Sequence, residues 1–166
     1  MTQNELTKLT RAAFNDMCRD FSSALADRGF TKTKTRLWIR ISQGTIDVIS
    51  LFREGSSCGA PIGGRLDIRL NSSNRKPGDT TEFLALIGPQ SDVARTRSGK
   101  YHLAFNVKSR HMYDRCLTDL VRFIDDECEP WFREIHDSTD GTSIDISDET
   151  RKALGIKPSL WPSRGT

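Results

Sequence analysis

The chain has 166 residues, 36% of them hydrophobic and 28% charged, and a formal net charge of +3. That length suits one compact domain burying about two thirds of the surface its unfolded chain exposes, so neither disulfides nor a metal are needed to hold a core. No apolar stretch approaches the ~20 residues of a membrane helix, Met1-Thr2-Gln3-Asn4-Glu5 lacks the character of a signal peptide, and 12 Gly with 6 Pro are too few for a fibrous or disordered chain; the expectation is a globular cytoplasmic protein without membrane contact.

Thr2 to Glu5 reads as a capping box, the threonine bonding the first turn and the glutamate reaching back. Leu6, Leu9, Ala13, Met17, Phe21, Ala24 and Leu25 follow at helical spacing and form one apolar stripe. Gly29 stops this helix, because glycine takes a left-handed conformation at little cost.

From Thr31 to Ile41, and again from Thr45 to Phe52, the pattern alternates, so two strands are expected. Gln43-Gly44 between them suits a tight hairpin turn. Such a turn pairs Ser42 with Thr45, Ile41 with Ile46, Arg40 with Asp47, Ile39 with Val48 and Trp38 with Ile49. Leu37, Ile39, Ile41, Ile46, Val48 and Phe52 then share the expected core face. Arg36, Trp38, Arg40, Asp47, Ile49, Leu51 and Arg53 share the other, with Arg40 opposite Asp47 as a favourable pair.

Residues 54–64 read as a glycine-rich loop. Arg65 to Asn71 is a third strand, with Leu66, Ile68 and Leu70 inward. Residues 72–80 read as loop. Phe83 to Ile87 is an apolar run that periodicity leaves as helix or strand. Gly88 to Gly99 reads as loop. Lys100 to Val107 alternates, with Tyr101, Leu103, Phe105 and Val107 on one side. A helical stripe then runs through Met112, Tyr113, Cys116, Leu117, Leu120, Val121 and Ile124 towards Cys128. Pro130 has no N–H and so kinks this helix or starts a new turn. Trp131, Phe132 and Ile135 continue the apolar face. Further on, Ser147 is expected to cap a short helix through Leu154, ended by Gly155. The fold class is α+β: an N-terminal helix, an antiparallel sheet of about four strands including a hairpin, and a long C-terminal helix packed on one face. Residues 1–136 read as one domain and 137–166 as a polar extension.

Gly29-Phe30-Thr31-Lys32, Trp38-Ile39-Arg40, the apolar strand Ile46 to Phe52, Leu66-Asp67-Ile68-Arg69-Leu70 and the late Pro130-Trp131-Phe132 form an ordered set of motifs. Over about residues 5–135, this set resembles the bacterial family catalogued as domain of unknown function 4304. The resemblance implies a leading helix, a hairpin carrying an aromatic and an arginine, a further strand and a closing helix. It implies no activity and carries over no catalytic residue.

Charge is unevenly spread. Residues 28–110 carry 15 Lys/Arg against 6 Asp/Glu, and residues 111–166 carry 7 against 12. Lys32, Lys34, Arg36, Trp38 and Arg40 fall on alternate positions and are expected to share one strand face. Cations around an aromatic on a sheet suit a phosphate backbone with a stacked base, an anionic protein surface, or a strand edge guarded against aggregation. Asp125-Asp126-Glu127 with Glu129 reads as a solvated helix face, or as charge that offsets the basic sheet.

No catalytic constellation appears. Cys18, Cys58, Cys116 and Cys128 show no CxxC spacing and no nearby histidine, so they read as reduced thiols and no metal is expected. His102, His111 and His136 match no HExxH pattern. Gly59 to Gly64 lacks the Gly-Lys-Ser/Thr ending of a phosphate loop, and no cofactor signature is present. The leading expectation is a non-catalytic binding module acting on a protein partner through the sheet face or its loops, with Lys32, Lys34, Arg36, Trp38 and Arg40 as the candidate contacts. The alternatives are nucleic-acid binding through the same face and an enzyme acting on an anionic small molecule. An apolar hairpin face also allows a homodimer.

Overall fold

A computed structural model describes residues 2–42, 44–54, 64–77, 83–91, 99–138 and 148–157. The first helix, α1 (Gln3–Ala26), begins with the expected capping box: the Glu5 amide donates to Thr2 Oγ1 at 3.2 Å and the Thr2 amide donates to Glu5 Oε2 at 2.7 Å. Its buried stripe is Thr10, Phe14, Met17, Cys18, Phe21 and Leu25. Leu9, expected on the stripe, is 40% exposed, and Phe14 takes the inward position instead. Gly29 closes the helix at φ +83°, and the Phe30 amide folds back to the Leu25 carbonyl.

Among the described residues the sheet has six antiparallel strands. β1 (Thr31–Lys34), β2 (Leu37–Ser42), β3 (Thr45–Glu54), β4 (Arg65–Pro77) and β5 (Phe83–Gln90) lie in sequence order, and β6 (Ala104–Asn106) pairs with the start of β4 beside β5. The β2–β3 register is the expected one, from Ser42 opposite Thr45 to Trp38 opposite Ile49. Gly44 supplies φ +83° in the turn, and Gln43 lies outside the described residues.

Three expectations about the strands are corrected. The segment from Thr31 to Ile41 is not one strand. It doubles back at residues 35–36, so that Lys32 faces Trp38 across a bulged β1–β2 ladder. β4 continues to Pro77 through the polar run Asn71-Ser72-Ser73-Asn74, where a loop was expected. The last segment is strand only over Ala104–Asn106, although Tyr101, Leu103 and Phe105 are buried as expected.

The two faces of the hairpin also exchange roles. The main core lies on the face of Trp38, Ile49 and Leu51, joined by Leu66, Ile68 and Leu70 of β4 and covered by α1 and the C-terminal helices. Trp38 is fully buried, edge-on to Phe21 at 5.3 Å, and its Nε1–H donates to Ser22 Oγ at 2.7 Å. The face expected to be the core holds a smaller cluster of Ile39, Ile46 and Val48 under Leu154 and Ile156. Both faces of the hairpin are therefore covered by apolar side chains, and alternation alone does not rank them.

The late helix comes in three pieces. α2 (Arg110–Phe123) runs into a π-helical turn at Ile124–Cys128 and then α3 (Glu129–Asp137), with Pro130 in the first turn of α3. The proline has no N–H to donate to the preceding turn, and the wider turn falls just before it. α4 (Asp148–Leu154) is the expected short helix, followed by Gly155 at φ +67°; Ser147 lies outside the described residues. No helix among the described residues is long and apolar enough to cross a membrane.

Candidate functional site

The five residues singled out from the sequence do not form one surface. Trp38 is buried, so its indole has no face free for a base. Arg40 is inside too, with a side chain only 16% exposed. Lys34 falls opposite Leu37 on the other side of the sheet, against Gly155. Lys32 and Arg36 remain exposed beside α1. The doubling back of the chain at residues 35–36 is the cause: it breaks the single alternation that placed all five together.

One end of the inner sheet face is electrostatically closed. Asp47, fully buried on β3, accepts from Arg40 Nε at 2.9 Å, from Asn74 Nδ2 at 2.8 Å and from His136 Nε2 at 2.9 Å. Arg40 Nη1 also donates to Glu129 at 2.9 Å and to the Arg28 carbonyl at 3.0 Å. The guanidinium lies over Phe30, 4.4 Å from the ring centre. Arg28 forks onto Asp125 at 2.6 and 2.7 Å, and Lys100 meets Asp126 at 3.2 Å. Glu127 accepts from Tyr101 Oη at 3.0 Å, and with burial this carboxylate pushes the phenol above its ordinary value. The acidic cluster of the π-turn thus offsets basic charge at Arg28 and Lys100, both within the basic stretch of residues 28–110.

The other end carries arginines without acidic partners among the described residues. The Leu51 amide donates to the Arg36 carbonyl at 3.2 Å, which docks the β1–β2 turn against β3. Arg53 lies two positions beyond Leu51 on the same face. Arg36 places its guanidinium 4.5 Å over the ring of Phe14, one helical turn from Arg11. Arg53 Nε is buried and has no hydrogen-bond partner among the described residues. Desolvation, and then the charges of Arg36 and Arg11, lower the Arg53 pKa. Burial raises the Cys18 thiol, and Arg36 and Lys32 oppose that rise from nearby. Among the described residues, no ion pair is formed by Arg11, Lys32, Arg36 or Arg53. Two members of this cluster, Arg11 and Arg53, were not among the five. The hairpin register already put Arg53 on the Trp38 face, and that was the available signal.

Other features are weaker. Cys18, Cys116 and Cys128 are free and buried, and Cys58 lies outside the described residues. The described residues hold no group of His, Cys, Asp and Glu arranged for a metal. A pocket lined by Gly29, Thr31, Ile39, Arg40 and Ile41 has a volume of about 90 Å³, well below the roughly 300–1,000 Å³ of a small-molecule site. Compared with known protein families, curated proteins and solved structures, the chain matches none.

Proposed function

We propose that this chain is a non-catalytic binding module that takes an acidic protein partner through Arg11, Lys32, Arg36 and Arg53. One observation carries the reading: the acidic C-terminal part pairs with Arg28, Arg40 and Lys100 and leaves these four cations without a counter-charge among the described residues. Like charges gathered on one surface raise the local potential and draw an anionic partner. With Trp38 enclosed, the surface lacks the stacking platform that single-stranded nucleic acid uses. The motif resemblance adds a proposed kinship with the uncharacterised family and no activity.

Fluorescence anisotropy with a labelled glutamate-rich peptide tests it. The expected result is binding that weakens with salt and disappears in a Lys32→Glu, Arg36→Glu double variant. Both side chains are exposed, so the fold should survive the change. Absence of salt-sensitive binding overturns the proposal, as does undiminished binding by the double variant. Tighter binding of a single-stranded oligonucleotide than of the peptide overturns the choice of a protein partner.

A further inference from the structure

We infer that Arg11, Arg36 and Arg53 form a seat for a phosphoryl group carried on that acidic partner, an inference that rests on the reading above. Three arginines come from three elements, α1, the β1–β2 turn docked on β3 and the end of β3, and Arg36 and Arg11 lie near enough to act on the Arg53 guanidinium. Arg36 is held in place by the Phe14 ring beneath it. Arg53 is held by its strand, with a buried Nε–H that no described group accepts. A buried donor without an acceptor is destabilising, and the Arg53 side chain that carries it is only partly buried, so a group docking on this guanidinium can relieve it. An anion suits the site, because Arg36 and Arg11 add positive charge beside the Arg53 guanidinium.

A phosphate monoester fits this demand best. It brings up to two negative charges and three acceptor oxygens, which several guanidiniums can share through paired N–H donors. A carboxylate brings one charge and two oxygens. A nucleic-acid diester spreads single charges along a track and is helped by stacking, and Trp38 is enclosed. The seat is also shallow. Arg11 and Arg36 are exposed and only part of Arg53 is buried. A free small ligand is usually held by burying most of its surface, whereas a phosphoryl group projecting from a protein segment needs only its head enclosed.

The test has two arms, both on the full chain. In the first, thermal unfolding is followed in sodium phosphate and in sodium chloride of equal ionic strength. Phosphate should raise the Tm of the wild type and leave that of Arg53→Met unmoved. Equal shifts in both proteins overturn the seat. In the second, a glutamate-rich peptide with one phosphoserine is compared with its unphosphorylated twin. The wild type should bind the phosphopeptide about tenfold more tightly, and Arg53→Met should erase that difference while still binding both through Lys32. Arg36→Met, at an exposed site, repeats the comparison should Arg53→Met fold poorly.

Equal binding of the two peptides by the wild type, with no stabilisation by phosphate, overturns the seat and leaves the acidic-partner reading standing. Failure of both peptides to bind overturns both. Stabilisation by free phosphate without a preference for the phosphopeptide overturns the partner-borne source. Equal competition by an unphosphorylated oligonucleotide overturns the choice of a monoester.

Discussion

His136 on α3 places Nε2 2.9 Å from the carboxylate of Asp47, a residue with no exposed surface at the centre of the sheet. The two are 89 positions apart in the chain. A carboxylate accepts, so the Nε2 that faces it carries a hydrogen. Arg40 and Asn74 fill the remaining acceptor sites of Asp47. The contact therefore pins α3 to the second, third and fourth strands at one point.

Asp47→Ala should be among the most damaging single changes in this protein. It leaves Arg40 half-compensated, with only Glu129 as anionic partner, and strips the partners of Asn74 and His136. Removing one member of a buried ionic group costs about 3–5 kcal/mol. Arg28→Ala, which breaks a pair whose Asp125 side chain is 46% exposed, should cost no more than about 1 kcal/mol. Urea unfolding of both variants checks this. Comparable losses would mean that the buried network does not hold the helix to the sheet.

Stability should also fall in alkali, and the thiols say where. Burial pushes Cys116 and Cys128 up to about 12, from an ordinary value of 9.0. A group whose proton is held more tightly in the folded state stabilises fully below the unfolded pKa. That contribution is lost as pH rises towards the folded value. At about pH 11 each thiol then costs about 2–3 kcal/mol relative to neutral pH. Tyr101 and Tyr113 are shifted the same way, the second by burial and its hydrogen bond to Asp20. Urea midpoints across this range should drop steeply above about pH 9, and less steeply in Cys116→Ala and Cys128→Ala. Identical slopes in wild type and variants would sink the account.

The hairpin was legible in the sequence because its register follows from one turn and from alternation; each expected pair, from Trp38–Ile49 to Ser42–Thr45, is present. What alternation cannot convey is which of two apolar-bearing faces lies under the larger cover. Trp38, Ile49 and Leu51 sit among arginines and an aspartate in sequence, and local composition makes that face read as polar. The helices from both ends of the chain decide otherwise, by covering it. Arg40 reads as a surface cation because Glu129 and the Phe30 ring, its partners, are remote or on another element. For the same reason β4 reads as ending at Asn71. Ser72 and Asn74 look like loop residues until Pro89 and Asp47 supply the bonds that let them face inward.

The β4–β5 ladder carries a further prediction at Gly88. The register shifts between Asn71–Gln90 and Ser73–Ile87, so Gly88 and Pro89 together oppose Ser72 in a bulge. The bulge brings the β5 backbone against α3. A Cβ at Gly88 would stand 2.5 Å from Trp131 Cζ3 and 2.7 Å from Ser72 Oγ. The serine is tied to the Pro89 carbonyl, so it has little freedom to withdraw. Trp131 is packed against Phe132 at 5.3 Å between ring centres. Gly88→Ala should therefore destabilise by about 1–3 kcal/mol, the range for overpacking. If the indole is the obstacle, Trp131→Leu should absorb part of the loss. The double variant would then be more stable than the sum of the single effects by at least about 0.5 kcal/mol. Strict additivity in urea unfolding would place the clash at the serine instead, and a harmless Gly88→Ala would mean that the strand and α3 do not approach this closely.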